Sequence, residues 1–236
     1  MRARIKEKRE VAKGTLLVTF DLLGEEVDFT PGQYFFVTLP DVGYQDDKGL
    51  RKHITVVTSP NEKGVLGFAT RMRDSAFKRS LGKLSVGSEA EVEPPKGTFA
   101  LPEDTSRPLV FVAGGIGITV FRSMLRYIHE EGLPYRVTLI YSNRDRESTA
   151  FLDELQELDG ESSDFRLILT MTQDPRWEGE NRKIDSQFLT DYLGPSLNDH
   201  TFLVAGPPAM VEGVQKTLVE AGVENDNVIA ERYSGY

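Results

Sequence analysis

Three closely spaced glycines are the first residues of this chain whose spacing suggests chemistry: Gly114, Gly115 and Gly117, within VFVAGGIGITVFRSMLRYI at residues 110–128. An apolar run, a glycine-rich turn and an amphipathic stretch in this order predict a strand, a tight loop and a helix. Glycines in such a turn permit positive φ and close approach to the backbone, and the free N–H groups that begin a helix favour an anion. Phosphate binding is one interpretation. A plain strand-to-helix turn whose glycines relieve packing is the other.

Two stretches in the first half of the chain place cationic groups beside hydroxyl groups. RKHIT sets Arg51 and Lys52 next to Thr55. RMRDSAFK contains a predicted helix start for which Asp74 or Ser75 is the candidate N-cap. Cationic side chains together with free N–H groups favour a diphosphate site, whereas solvated surface cations are the alternative. The cations around the predicted helix start are Arg71, Arg73 and Lys78.

Polar and small residues also follow the strand-like runs of the second half. The carboxyl ends of parallel strands meet at one sheet edge, where ligands bind, so we expect these residues to surround a nucleotide. Ser142 with Arg144 favours a 2′-phosphate, and hence NADP(H), but the acidic Asp145 leaves the choice between NADP(H) and NAD(H) open. A solvated charged loop is the alternative to nucleotide binding here. The residues at this expected edge are Ser142, Asn143, Arg144, Arg146, Thr172, Gly206 and Pro207.

The composition excludes several kinds of site. The 236-residue chain has no cysteine, which excludes disulfides, thiolate zinc sites, cysteine-ligated iron–sulfur clusters and a cysteine nucleophile within it. His53, His129 and His200 lack metal-ligand spacing, so no metal site is predicted. No apolar run approaches the roughly 20 residues of a membrane span. The charged N-terminus lacks the apolar core of a signal peptide, and we therefore expect a cytoplasmic protein.

The net charge of −9 is distributed unevenly. Residues 1–103 contain 16 Lys and Arg against 15 Asp and Glu, whereas residues 104–236 contain 12 against 22. Nucleic-acid binding is not expected without a clustered basic face. The small positive excess of the first half leaves room for an acidic ligand or an acidic protein partner there.

The two halves of the chain differ in their periodicity. Up to residue 100, short runs rich in Val, Thr, Phe and Tyr are separated by turn signals, which predicts a small barrel or sandwich interrupted by one helix at Asp74–Leu84. In the second half, strand-like runs alternate with helix-like stretches, which predicts βαβ units on a parallel sheet. The polar segment 101–108 is the expected linker. The predicted domains are therefore residues 1–103 and 104–236.

Individual elements follow from the same patterns. The predicted strands of the first half are TLLVTFDLL, GQYFFVTLP, KHITVVTSP, VLGFATRMR and SEAEVE. Those of the second half are LVFVAG, RVTLIYS, FRLILTMT and TFLVAG, with helices in FRSMLRYIHEEG, FLDELQEL and PAMVEGVQKTLVEAG. The glycine loop is thus the first strand-to-helix turn of the predicted parallel domain.

Six separate motifs together resemble the ferredoxin–NADP+ reductase superfamily of flavin reductases over nearly the whole chain. In chain order they are PGQY, KHIT with the later SP, DSAFKRSL, AGGIGIT, AGPPAM and the terminal SGY. The chain is most similar to single-chain prokaryotic members without a fused iron–sulfur module. The resemblance implies an antiparallel Greek-key β-barrel that binds a flavin, more often FAD than FMN, followed by a Rossmann-like domain that binds NAD(P)H.

By position, the resemblance also assigns roles to residues. Lys52 stands where an arginine contacts flavin phosphate, Ile54 where an aromatic stacks on the ring, and Thr55 where a hydroxyl lies near flavin N5. Tyr236 would cover the other flavin face, so Thr55 and Tyr236 are the implied catalytic residues. The further implied flavin contacts are Arg51, His53, Arg71, Ser75, Ala76 and Phe77. The implied NAD(P)H contacts are Gly115, Gly117, Thr119, Ser142, Arg144, Thr172, Gly206 and Pro207.

Four positions depart from the family pattern. Lys52 replaces an arginine, a change for which Arg51 could compensate. Ile54 replaces the stacking aromatic, which predicts an altered flavin affinity or redox potential. Ala205 replaces a cysteine beside the nicotinamide, which predicts slower hydride transfer, and Val120 replaces the proline of the glycine loop.

The function that the resemblance implies is hydride transfer between NAD(P)H and bound FAD. One-electron steps would follow to an external acceptor, either a protein such as a ferredoxin or flavodoxin or a small molecule. Two alternatives stay open. One is a nucleotide-binding sensor that has lost its flavin, and the other is an electron-transfer subunit of a larger complex.

Overall fold

The computed structural model describes residues 1–233. The chain forms two units, one of residues 1–101 with 119–132 and one of residues 102–118 with the residues from 133 onward. The predicted division between residues 103 and 104 stays a prediction. The two observed units differ from the predicted domains mainly because 119–132 packs with the first unit.

An antiparallel six-stranded sheet forms the first unit. Its strand order is β4-β3-β6-β1-β2-β5, so long connections return β6 to a place between β1 and β3. The N–H of Val57, just after β4, bonds to the carbonyl of Gly67 in β5 at 2.9 Å, which links the two edge strands. The antiparallel β domain predicted for the first half is confirmed. Strands β1 to β6 are Arg2–Ala12, Thr15–Asp21, Tyr34–Thr38, Arg51–Thr55, Val65–Arg71 and Glu89–Val92.

Phenylalanine side chains fill the interior of this unit. Phe20, Phe35 and Phe68 are fully buried, and the ring centres of Phe20 and Phe68 lie 6.0 Å apart. Phe77 on helix α1 (Ala76–Lys83) packs 6.4 Å from Phe68. Burying a side chain of this size contributes about 2–3 kcal/mol. The apolar face of α1 therefore fixes the helix against the sheet.

An all-parallel five-stranded sheet forms the second unit. Its order is β9-β8-β7-β10-β11, so the direction of strand succession reverses between β7 and β10. Ligands of open parallel sheets bind at the carboxyl ends of the strands at such a reversal. Both central strands are continuous buried apolar runs, as strands covered on two faces require. Strands β7 to β11 are Leu109–Gly114, Val137–Asn143, Phe165–Met171, Thr201–Gly206 and Val228–Arg232.

Four helices accompany the second sheet in sequence. They are α2 (Ile118–Glu131), α3 (Leu152–Glu161), α4 (Ser186–Leu193) and α5 (Pro208–Glu220). The alternation of strands and helices predicted for the second half is confirmed.

Helix α2 packs in the first unit although it follows the first strand of the second sheet. Arg122 is buried and donates from Nη1 to the carbonyl of Val57 at 2.8 Å. The hydroxyl of Ser123 donates to the carbonyl of Thr58 at 2.7 Å. These bonds satisfy carbonyls of the segment that directly follows β4. The residues that precede this segment, RKHIT, are therefore held by α2 as well as by their own sheet.

Three elements were not among the predicted ones. In β1, charged residues surround the inward-facing Ala3 and Ile5, and register shifts after Ile5 break the alternation that marks a strand. β11 is a strand of five residues, VIAER, without a strong pattern. Helix α4 begins at the N-cap Asp185, whose carboxylate accepts the N–H of Phe188 at 2.8 Å. The charged loop before α4 concealed this helix.

Candidate functional site

The start of α1 presents a backbone N–H group to an anion. Of the two candidate N-caps, Ser75 is the cap, because its hydroxyl oxygen accepts the N–H of Lys78 at 3.3 Å, and Asp74 is not. The N–H of Ala76 donates at 2.7 Å to Oδ2 of Asp46, which lies in the loop between β3 and β4. A side-chain anion thus already occupies the position that a helix start offers to phosphate.

Four cationic side chains gather around this helix start: Lys48, Lys52, Arg73 and Lys78. Burial of Lys78 and repulsion from the other three lower the pKa of its amine. Lys52 Nζ also donates to the carbonyl of Lys48 at 2.6 Å, which keeps these two lysines together. Like charges held this close favour a multiply charged anion, so the donor set fits a diphosphate. We call these four residues the cation cluster.

Strand β4 sends its predicted site residues to two faces, because side chains alternate along a strand. Lys52 and Ile54 share one face, and Ile54 packs against the core of the first unit. Arg51 lies on the other face, where its Nη2 bonds to Glu93 Oε1 at 2.6 Å and its guanidinium lies 3.6 Å from the ring centre of Phe36. The structure does not bring Arg51 to the face of Lys52, where it was expected to compensate for the missing arginine.

The other predicted flavin contacts are spread over the first unit. His53 makes an edge-on contact with the ring of Tyr34, 5.7 Å between centres. Thr55 is buried at the end of β4, Arg71 ends β5 half-buried, and Phe77 belongs to the core. Their roles toward a flavin stay predictions.

The glycine loop packs backbone against backbone on the carboxyl end of β10. Gly115 has φ of +53°, a conformation that glycine adopts without strain. A Cβ on Gly117 would lie 2.2 Å from the carbonyl oxygen of Ala205, and one on Gly206 would lie 3.2 Å from Cα of Gly114. Gly117 therefore serves close packing between the glycine loop and β10. The phosphate-binding role of the loop stays a prediction, with its location at the strand-order reversal in its favour.

Two further predicted residues lie next to these loops in the chain. Thr119 is buried in the first turn of α2, and Pro207 is exposed where α5 begins. The hydroxyl of Tyr141 donates to the carbonyl of Gly115 at 3.1 Å, which attaches the glycine loop to β8.

The loops after β8 and β9 are tied together at the same sheet edge. The N–H and the hydroxyl of Thr172 both donate to the carbonyl of Asn143, at 2.9 and 3.2 Å. The carboxylate of Asp174 accepts the N–H of Arg146 at 3.2 Å, and the backbone N–H groups of Arg176 and Arg146 lower the pKa of Asp174. Thr172 thus positions the neighbouring loop, a role that the sequence did not indicate.

Asn143 carries an unsatisfied amide at the end of β8. Within residues 1–233, neither its Oδ1 nor its Nδ2 has a hydrogen-bond partner, and both atoms are buried. Buried amide groups without partners are costly, so such a pair indicates a missing partner such as a ligand or water. Ser142 beside it is half-buried and Arg144 is exposed, so both can reach a ligand. This edge therefore fits a pyridine nucleotide.

Glu231 in β11 and Tyr233 just after it lie near this edge, although no sequence pattern indicated them. Glu231 pairs in register with Ala205, and burial raises the pKa of its carboxyl. The N–H of Tyr233 donates to the carbonyl of Gly206 at 2.9 Å, and its hydroxyl donates to Glu231 at 3.2 Å. Tyr236, the predicted ring-covering aromatic, lies outside the described residues. An aromatic ring and a carboxyl thus stand beside the loop after β10.

Glu180 anchors the long loop between β9 and α4. Its carboxylate accepts from Arg182 Nη2 at 2.6 Å and from the hydroxyl of Tyr192 at 3.1 Å, and its side chain is 12% exposed. Hydrogen bonds from Arg182 lower the pKa of Glu180 from 4.5 to about 2. Arg182 also reaches Asp191 at 2.8 Å, so one guanidinium joins the loop to α4.

We expect Glu180→Gln to lower the free energy of unfolding by about 2 kcal/mol at pH 7, because it removes a charge-assisted network. A carboxyl whose pKa is lowered by folding stabilises above its unfolded value, and that stabilisation is lost as pH falls through the folded value. The difference from wild type should therefore shrink between pH 4.5 and about 2. Urea unfolding across this range, with exposed Glu178→Gln as control, tests it. If the difference in unfolding free energy between wild type and Glu180→Gln did not change with pH, the lowered pKa of Glu180 would be contradicted.

The described residues offer neither a metal-binding cluster nor a membrane-spanning helix. Within residues 1–233, no three or more His, Asp and Glu side chains cluster in a way that could hold a metal ion. No helix in that part of the chain combines the length and hydropathy that crossing a bilayer requires.

Comparison with known proteins assigns the start of α1 and the loops of the parallel sheet to two oxidoreductase domains. The model of the oxidoreductase FAD-binding domain matches residues 2–101, and the model of the oxidoreductase NAD-binding domain matches residues 111–216. The first match contains the cation cluster and α1. The second contains the glycine loop and the loops after β8, β9 and β10.

Individual relatives agree with these matches. The reductase component of propane 2-monooxygenase from Rhodococcus jostii is 26% identical over 216 residues, which cover 88% of this chain and 56% of the relative. NADH-cytochrome b5 reductase 1 from Aspergillus terreus is 24% identical, with 92% of this chain and 76% of the relative covered. The chain thus spans little more than half the length of the first relative.

A solved structure matches the fold of nearly the whole chain. The flavohem-like FAD/NAD binding domain of nitric oxide dioxygenase from Vibrio cholerae superposes with a TM-score of 0.86 at 17% identity, covering 98% of both chains.

Proposed function

This chain belongs to the ferredoxin reductase-like family of NAD(P)H-dependent flavoprotein reductases, and we propose that it transfers a hydride between NAD(P)H and FAD and passes electrons to an external acceptor. The acceptor is a one-electron carrier, either a protein such as a ferredoxin or flavodoxin or a small molecule. The arrangement at the start of α1 carries the proposal, since a cation cluster and a helix N–H within the FAD-binding domain suit a flavin diphosphate.

Bound FAD would supply the hydride acceptor and the means of releasing electrons singly. The task of the chain is to hold it. Lys52 and Lys78 would neutralise the diphosphate, and the N–H of Ala76 would donate to one of its oxygens. Ile54, which shares the face of Lys52, offers an apolar surface without aromatic stacking. Thr55 would supply a hydroxyl near the reacting end of the ring.

The loops at the carboxyl edge of the parallel sheet would orient NAD(P)H. Gly115 and Thr119 would bind its diphosphate, while Ser142 and Arg144 would meet the adenosine end. The orphaned amide of Asn143 lies between Ser142 and Arg144 in the chain and would gain partners there. Since hydride transfer requires no general acid or base on the protein, these residues act by positioning.

An assay of acceptor reduction tests the proposal. Ferricyanide, a one-electron acceptor, should be reduced by NADPH or NADH in the presence of this chain, and the rate should depend on added FAD if the purified chain is flavin-depleted. A chain that binds neither FAD nor FMN and reduces no acceptor would contradict the proposal and favour the sensor alternative.

A second candidate is a component of a larger electron-transfer system. It is favoured by the first relative, which is named as the reductase component of a monooxygenase and is much longer than this chain. In that case the acceptor is a partner protein. Turnover with ferricyanide would then be retained while free ferredoxins and flavodoxins accept electrons poorly.

Arg144→Ala tests the preference for NADPH. We expect the KM for NADPH to rise about tenfold and the KM for NADH to change less than about twofold, because a guanidinium contact with a 2′-phosphate contributes more than about 1 kcal/mol. Arg136→Ala, at the opposite end of β8, is the control. Equal changes for the two nucleotides would contradict a 2′-phosphate contact.

A further inference from the structure

The loop between β3 and β4 inserts an anion of its own into the proposed diphosphate site. Asp46 Oδ2 accepts the N–H of Ala76 at 2.7 Å, and Asp46 Oδ1 accepts the N–H of Lys48 at 2.9 Å. The bond from Ala76 is the main reason why the pKa of the Asp46 carboxyl lies below its usual value, and the charge of Lys52 adds to it. Asp46 is therefore ionised at neutral pH and interacts with the residues that would hold a flavin.

We infer that Asp46 is an internal competitor of the flavin diphosphate and that it sets flavin affinity. The inference rests on the proposed function. A single N–H group makes one strong hydrogen bond, so the Ala76 N–H cannot serve the carboxylate and a phosphate oxygen together. A carboxylate left in place would also repel the diphosphate at close range.

The contact between the Asp46 carboxylate and the N–H of Ala76 can be broken locally. Asp46 is exposed, and it lies in an irregular loop, so the carboxylate can leave the helix start without disturbing the strands. Its second oxygen and its carbonyl bind the N–H groups of Lys48 and Gly49 within the same loop. When the carboxylate swings away it gives up the N–H of Lys48 as well, while the backbone bond from Gly49 to the Asp46 carbonyl keeps the turn.

Competition of this kind weakens the apparent affinity for the external ligand. When the binding-competent arrangement is only a fraction of the population, the apparent Kd rises by the inverse of that fraction. A carboxylate on a helix N–H beside several cations would hold the competent fraction near one tenth, as an order of magnitude. Removing the charge of Asp46 should restore most of the lost affinity for FAD.

Asp46→Asn is the test, with Asp47→Asn as the matched control. Asn keeps an oxygen for the Lys48 N–H, so the loop turn survives, whereas the charge at the helix start is lost. On the full chain stripped of flavin, we expect FAD, followed by the quenching of its fluorescence, to bind about tenfold more tightly to the Asp46→Asn variant. The Asp47→Asn variant should remain within about twofold of wild type, because exposed Asp47 makes no comparable contact in the described structure.

A second readout does not depend on flavin. In the flavin-free chain, the amide resonance of Ala76 should titrate with the carboxyl of Asp46, and Asp46→Asn should abolish this titration. FAD affinity that Asp46→Asn leaves unchanged or weakens would overturn the inference alone. Failure of wild type and both variants to bind FAD would contradict the proposed function, and the inference with it.

Discussion

Gly117→Ala is expected to lower the free energy of unfolding by about 3 kcal/mol and to weaken NAD(P)H binding at least about tenfold. The added methyl would lie 2.2 Å from the carbonyl oxygen of Ala205, which is backbone of the central strand β10 and cannot move aside cheaply. The glycine loop would shift instead. Because this loop is the proposed diphosphate contact, stability and nucleotide affinity should fall together.

Gly213→Ala is the matched control for this substitution. Gly213 lies within α5, is exposed, and has open space around its Cα. Alanine there should raise the free energy of unfolding by as much as about 1 kcal/mol. Chemical unfolding and a nucleotide titration check both variants. Full nucleotide affinity in a destabilised Gly117→Ala variant would mean that the loop packs but does not bind.

Lys78→Gln is expected to weaken FAD binding about twentyfold. The lost affinity reflects a charge-assisted contact with the diphosphate of about 1.5–2 kcal/mol. In the absence of flavin, burial lowers the pKa of this amine, and the other three members of the cation cluster repel it and lower its pKa further. Removing the charge should therefore relieve the repulsion within the cluster.

Lys83→Gln provides the control, since Lys83 lies in the last turn of the same helix, away from the cluster. A cation there favours the helix dipole, so this variant should lose a few tenths of a kcal/mol of stability and keep its FAD affinity. Fluorescence titration and thermal unfolding distinguish the two sites. If both lysine variants lose FAD equally, general surface charge rather than the cation cluster governs binding.

The sequence predicted the two-domain order because each half repeats one pattern. Buried parallel strands such as LVFVAG and TFLVAG are continuous apolar runs, and most strands of the antiparallel sheet end at clear turn signals. Strand β1 was not predicted because its inward-facing residues, Ala3 and Ile5, lie within a long run of charged residues. Local pattern is enough where a strand is buried on both faces, and it fails where most of its side chains are polar.

The positions of the two proposed binding sites in the chain could be predicted from the sequence, but the contacts within them could not. Cations near Ser75 could be anticipated from RMRDSAFK, yet the contact between Ala76 and Asp46 joins residues 30 positions apart. The opposite faces of Arg51 and Lys52 follow from strand alternation, which the position-by-position resemblance did not take into account. The 2.2 Å approach of a Gly117 Cβ to Ala205 depends on how two distant strands pair. Such relations arise only in the folded chain.

An anaerobic visible spectrum of the FAD-loaded chain, recorded before and after stoichiometric NADPH in one sample and stoichiometric NADH in another, tests the central claim most directly. The flavin absorption bands should bleach on addition of either nucleotide, more rapidly with NADPH. Bands that persist with both nucleotides would contradict hydride transfer between NAD(P)H and FAD in this chain.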